Sequence, residues 1–94
     1  MTSVVEILKQ EKRFLHDSFG VEQLALFGSY ARGNENEGSD IDILVTLDKP
    51  DYSKFSQLYS YLQKKFDKKV DLIRMGDHIT EKFLSRIKKD VIYV

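Results

Sequence analysis

Leu26-Phe27-Gly28-Ser29-Tyr30-Ala31-Arg32-Gly33, followed by Ser39-Asp40-Ile41-Asp42-Ile43-Leu44-Val45, is the stretch that decides the fold. It reads as a strand, a tight glycine turn, a short helical turn, a loop, and a second strand that opens with two acids. Small residues at the turn let a backbone approach phosphate closely. Two carboxylates spaced i, i+2 on a strand point to the same face. The pairing points to a site for a metal-bound nucleotide.

Working outward, Ser39 to Leu47 alternates with a period of two. Ile41, Ile43, Val45 and Leu47 form one face; Asp40, Asp42, Leu44 and Thr46 form the other. Acids sit only at the start, so the strand is buried along its length with a polar mouth at one end. Upstream, Val21 to Phe27 reads as a short strand broken by Gly28-Ser29, with Val21 and the Leu24 to Phe27 run suited to burial on both faces. Residues 29 to 35 suit a short helix with Ser29 as N-cap. Residues 3 to 18 suit an amphipathic helix, with Ser3 and Glu6 as a capping box and Gly20 as the stop.

Downstream, Asp48-Lys49-Pro50-Asp51 is a turn. A helix over 52 to 66 follows, with Phe55, Leu58, Tyr59, Leu62 and Phe66 as its apolar stripe. Lys68 to Ile73 is a third strand, with Asp71 among apolar residues. A last helix, about 78 to 88, buries Ile79, Phe83, Leu84 and Ile87. Val91 to Val94 suits a short final strand. The fold class is therefore α/β (α+β): a small mixed sheet of three to four strands flanked by helices, in the order α-β-α-β-α-β-α. The second and third strands, joined through a helix, should be parallel with a right-handed crossover. That brings Asp71 beside Asp40 and Asp42. The first strand should run antiparallel to the second and deliver Gly28-Ser29 to the same edge.

Bulk composition narrows the chemistry. At 94 residues, one domain over 1–94 is expected. Fifteen Lys+Arg balance fifteen Asp+Glu, which argues against a dedicated nucleic-acid binder. There is no cysteine, so disulfides, zinc–thiolate sites and thiol nucleophiles are excluded. A metal must be held by harder ligands, which favours Mg²⁺. Neither a signal peptide nor a membrane-length apolar run is present, so the expected compartment is the cytoplasm.

Three bare carboxylates in reach of one another repel, and divalent cations remove the conflict. Asp40 and Asp42 can bridge two Mg²⁺ ions, with Asp71 completing one site. Two metals can clamp an attacking hydroxyl and a phosphorus centre for in-line displacement. Asp71 can also take the hydroxyl proton. Ser29 offers a hydroxyl and an N–H to phosphates, and Arg32 a charge-assisted contact to the triphosphate. Each fragment alone has a plain structural explanation, as a turn, a solvated strand end or a surface arginine. An EF-hand loop is excluded, since Leu44 and Val45 stand where an oxygen ligand and the turn glycine belong.

Gly28-Ser29, ten residues, then Asp40-x-Asp42 resembles the signature of the DNA polymerase β-like nucleotidyltransferase superfamily. The fuller Gly28 to Gly33 and Ser39 to Val45 stretches are similar to its minimal nucleotidyltransferase (MNT) branch. One departure is the Asn34 to Gly38 loop, where relatives often carry a Pro-Asp turn. The resemblance implies a nucleotidyltransferase fold and metal-dependent transfer of AMP from ATP to a hydroxyl. It implies Asp40 and Asp42 as metal ligands, Asp71 as ligand or base, and Gly28 and Ser29 at the triphosphate. Larger relatives add a helical domain for substrate. Because this chain stops near the end of the core, another protein is expected to complete the site. The resemblance implies an antitoxin paired with an all-helical HEPN ribonuclease toxin in a hetero-oligomer, AMPylating a toxin tyrosine. The alternatives are neutralisation by complex formation without catalysis, or a small-molecule (antibiotic) nucleotidyltransferase.

Overall fold

The computed structural model describes residues 3–94. The elements are α1 (Val4–Phe19), β1 (Val21–Phe27), α2 (Ser29–Arg32), β2 (Ile41–Leu47), α3 (Tyr52–Phe66), β3 (Val70–Arg74), α4 (Glu81–Ile87) and β4 (Ile92–Tyr93). Local chemistry sets their ends. The Glu6 N–H donates to Ser3 Oγ at 3.1 Å and starts α1. Gly20, at φ 74°, closes that helix in the left-handed region. Asp51 Oδ1 accepts from the Lys54 N–H at 3.0 Å and caps α3.

The four strands form one sheet in the order β3-β2-β1-β4. β1 runs antiparallel to β2 and to β4, and β2 runs parallel to β3. The α3 crossover imposes the parallel pairing, because a tight hairpin cannot join parallel strands. The outer faces of the sheet bury different partners. On one, Leu8 and Leu15 of α1 and Leu58 and Leu62 of α3 pack against Leu24, Leu26, Ile41, Ile43, Val45 and Val70. On the other, Ala25, Phe27 and Leu44 meet Phe83 and Ile87 of α4, with Ile73, Met75 and Val91.

Several expectations are corrected. Strand β2 begins at Ile41, so Asp40 stands just before it, and β3 begins at Val70. Helix α2 spans only Ser29–Arg32, because Gly33 at φ 78° ends it. Ser29 does not cap it: Gly28 occupies the cap position, with no side-chain cap bond. Helix α4 starts at Glu81, after a turn closed by the Ile79 N–H on Gly76 O and capped by Thr80. It buries none of its residues fully, since it lies across the smaller face of the sheet. In β1, Val21 and the Leu24 to Phe27 run are buried as expected, while Glu22 and Gln23 are exposed beside an irregularity in the β1/β2 register. On α3, Tyr59 is exposed while Tyr61 donates a hydrogen bond to Glu11 of α1. The short final strand expected over 91–94 is present as β4, the fourth strand of the sheet.

Candidate active site

Sheet register assembles the site. Phe27 pairs with Asp42 across the antiparallel ladder, and Asp42 pairs with Asp71 across the parallel one. Phe27, Asp42 and Asp71 therefore stand in one row at one end of the sheet, and Gly28 follows directly on Phe27. Gly28 adopts φ 74° and ψ −153°, a region essentially reserved for glycine. A Cβ there would overlap Asp42 Oδ2 and come 2.9 Å from Asp42 Cγ. The glycine is thus required twice, by its backbone angles and by the carboxylate it faces. Its carbonyl accepts from the N–H groups of Ala31 and Arg32, each at 3.1 Å, which folds the chain into α2.

Asp42 is half-buried and carries the electrostatic tension of the site. Burial pushes its carboxyl above the ordinary value of 3.8. The charges of Asp71 and Asp40 push the same way, as does a side-chain hydrogen bond with Asp71. The Arg32 guanidinium opposes them. Like charges held this close repel, and a cation between them relieves the repulsion.

Asp40 is drawn aside. Its Oδ2 lies 3.7 Å from Lys69 Nζ, where the chain enters β3. Among the described residues, no three His, Cys, Asp or Glu side chains stand close enough together to hold a metal ion. The expected trio is accordingly a contacting pair, Asp42 and Asp71, with Asp40 tied to a lysine beside it. Carboxylate oxygens are nonetheless the donor type that a hard divalent cation takes. The Asp40–Lys69 pair is largely exposed, so it is weak and exchangeable.

A cavity of about 240 Å³ opens at this place, lined by Phe27, Gly28, Arg32, Asp42, Phe83, Arg86, Ile87 and Asp90. Arg32 reaches it from α2. Arg86 and Asp90 were not singled out from sequence, and Phe83 was expected only to pack. Phe83 meets Phe27 edge-on at 5.8 Å between ring centres. The fourfold apolar spacing of α4, Phe83 to Ile87, marked a packing face but gave no hint of which strand end it covers. Ser29 stands at the start of α2, adjacent to the row. His16 and His78 are exposed and lie outside the site.

Comparison with known proteins bears on this geometry. The nucleotidyltransferase domain family matches residues 5–94. The protein adenylyltransferase MntA of Thermococcus cleftensis is 35% identical over 95 residues, covering 100% of this chain and 95% of MntA. A solved toxin–antitoxin structure with AMP-PNP superposes with a TM-score of 0.72 at 24% identity, over 90% of this chain and 69% of that one. A complex of a tri-AMPylated Shewanella oneidensis HEPN toxin with an MNT antitoxin superposes at 0.64 and 22% identity, over 90% and 66%. These two structures share the fold. A glycine turn pressed against a paired-aspartate sheet end, and a family match spanning nearly the whole chain, lead to one conclusion: this chain belongs to the nucleotidyltransferase domain family.

Proposed function

We propose that this protein transfers AMP from ATP to a tyrosine hydroxyl of a HEPN-type toxin and so acts as its antitoxin. The observation that carries the reading is the meeting of the Gly28 turn with Asp42, and of Asp42 with Asp71 on the adjacent strand. The similarity to the adenylyltransferase MntA supports the reaction class. The AMPylated HEPN toxin held by an MNT antitoxin in a similar fold supports the acceptor.

Asp40, Asp42 and Asp71 would hold Mg²⁺, which when bound neutralises charge on the triphosphate and on the carboxylates. Gly28 admits the phosphates because it carries no side chain. The Ser29 hydroxyl, not used to cap α2, is available to a phosphate oxygen. Arg32 adds a charge-assisted contact. The tyrosine oxygen attacks the α-phosphorus, the bond to the bridging oxygen of pyrophosphate breaks, and pyrophosphate leaves. The phenolic proton passes to Asp71, the exposed member of the contacting pair. A cavity of about 240 Å³ is below the size that encloses a whole ligand. In this reading the partner supplies the acceptor surface.

The test uses ATP labelled on its α-phosphate, with Mg²⁺ and the HEPN-type partner. Label should enter the partner, and EDTA or Asp40→Ala with Asp42→Ala should stop it. Label from the γ-phosphate should not transfer. Neutralisation of the toxin by that double variant, at wild-type strength, would instead establish inhibition by complex formation. Adenylylation of an aminoglycoside in place of the partner would assign a small-molecule substrate.

A further inference from the structure

The cavity at the aspartate row has two walls of different origin. One is the signature itself: Gly28, Arg32 and Asp42. The other is α4 and the turn after it: Phe83, Arg86, Ile87 and Asp90. The edge-on contact of Phe83 with Phe27 fixes this second wall to the end of β1. Two guanidinium groups thus face one small space beside Asp42.

Their partners differ. Arg32 Nη1 lies 3.7 Å from Asp90 Oδ2, with the two side chains 45% and 32% exposed. That distance is beyond a hydrogen bond, so the pair is held by charge alone and exchanges easily. Arg86 is in none of the ion pairs found among the described residues. An unpaired guanidinium lining a cavity, next to one whose carboxylate is loosely held, is an arrangement suited to an entering polyanion. Guanidinium forks match phosphate oxygens bidentately. The cavity is too small for a whole nucleotide but admits one end of it.

We propose that Arg86 and Arg32 together bind the pyrophosphate end of the nucleotide, and that Asp90 is a stand-in anion that holds Arg32 until the phosphates displace it. This rests on the nucleotidyltransferase reading of the site and deepens it. Arg86, on α4, and Asp90, in the turn after it, lie outside the signature. Asp90 acts through Arg32 and is a positioning residue. Its presence sets a threshold: an anion must outcompete a tethered carboxylate, which a triphosphate does and a monophosphate does poorly.

The test is equilibrium binding to the full chain, with Mg²⁺, of two probes separately: inorganic pyrophosphate and AMP. Arg86→Gln should weaken pyrophosphate about tenfold or more, the cost of losing a hydrogen bond to a charged group. It should leave AMP within about twofold, since AMP lacks the bound end. Arg86→Lys should recover part of the loss, because an ammonium keeps the charge but not the fork. Asp90→Asn should tighten pyrophosphate about two- to fivefold, the worth of an exposed ion pair. That gain should vanish in an Arg32→Gln background. In turnover, Arg86→Gln should raise KM for ATP more than it lowers kcat.

Unchanged pyrophosphate affinity in Arg86→Gln overturns the proposal. So does an equal loss of AMP, which would place the base or ribose here instead. A gain from Asp90→Asn that persists without Arg32 removes the stand-in role. A wild-type chain that transfers AMP while these variants bind normally refutes this inference alone. A wild-type chain that neither binds pyrophosphate nor transfers AMP refutes the reading beneath it.

Discussion

At the scale of single residues, Asp42 is the strained group. Its folded-state pKa is raised, first by burial and then by Asp71 and Asp40. The protonated carboxyl therefore favours folding; that contribution is complete below the ordinary value of 3.8 and is lost as pH rises through the raised folded value. At neutral pH the ionised group costs stability. Without divalent cations, Asp42→Asn should melt above wild type at pH 7, and the difference should shrink toward pH 4. Added Mg²⁺ should raise the melting temperature of wild type and leave Asp42→Asn nearly unmoved. Gly28→Ala should lose about 1–3 kcal/mol from its backbone angles alone. Overlap with Asp42 adds to that, so a drop of several degrees in melting temperature is expected together with loss of nucleotide binding. Gly28, Asp42 and Asp71 were legible because strict alternation fixes which side chains share a face, and a crossover helix fixes parallel pairing. The turn of Asp40 toward Lys69 was not, because which nearby charge a carboxylate meets depends on side-chain rotamers at the strand entry.

At the scale of elements, α4 does more than its sequence announced. Its apolar residues predicted a packing helix, and Phe83 and Ile87 do pack. What could not be read is where the helix lies on the sheet. That is set by the turn at Gly76 to Thr80 and by the contact of Phe83 with Phe27, 56 residues away in sequence (83 − 27). The Phe83 N–H donates to Thr80 Oγ1 at 3.1 Å, the bond that starts the helix. Thr80→Ala should cost about 1 kcal/mol of stability. If α4 forms a wall of the nucleotide site, the same substitution should weaken ATP binding without touching the aspartates. By contrast, Leu58→Ala on α3 should cost about 2–5 kcal/mol and leave the remaining folded protein with unaltered affinity for ATP. Helix α2 shows the opposite limit of legibility. The Gly28 turn was plain, but the helix ends at Gly33 rather than 35, because a left-handed glycine stops it.

At the scale of the whole molecule, the two sheet faces divide the labour. Helices α1 and α3 supply the larger core, and α4 on the other face carries residues that line the site. No helix among the described residues is long and apolar enough to cross a membrane. Charge is balanced, so recognition of a partner rests on shape and local charge rather than on a general field. The proposed function has the acceptor hydroxyl reach the end of the sheet where Asp42 meets Asp71. The intact mass of the HEPN-type partner after incubation with this protein, ATP and Mg²⁺ is the most direct test. The partner should gain the mass of one or more AMP groups, located on tyrosine, and the gain should be absent with Asp42→Asn. A partner of unchanged mass whose ribonuclease activity is nevertheless blocked, equally by wild type and by Asp42→Asn, would contradict the central claim.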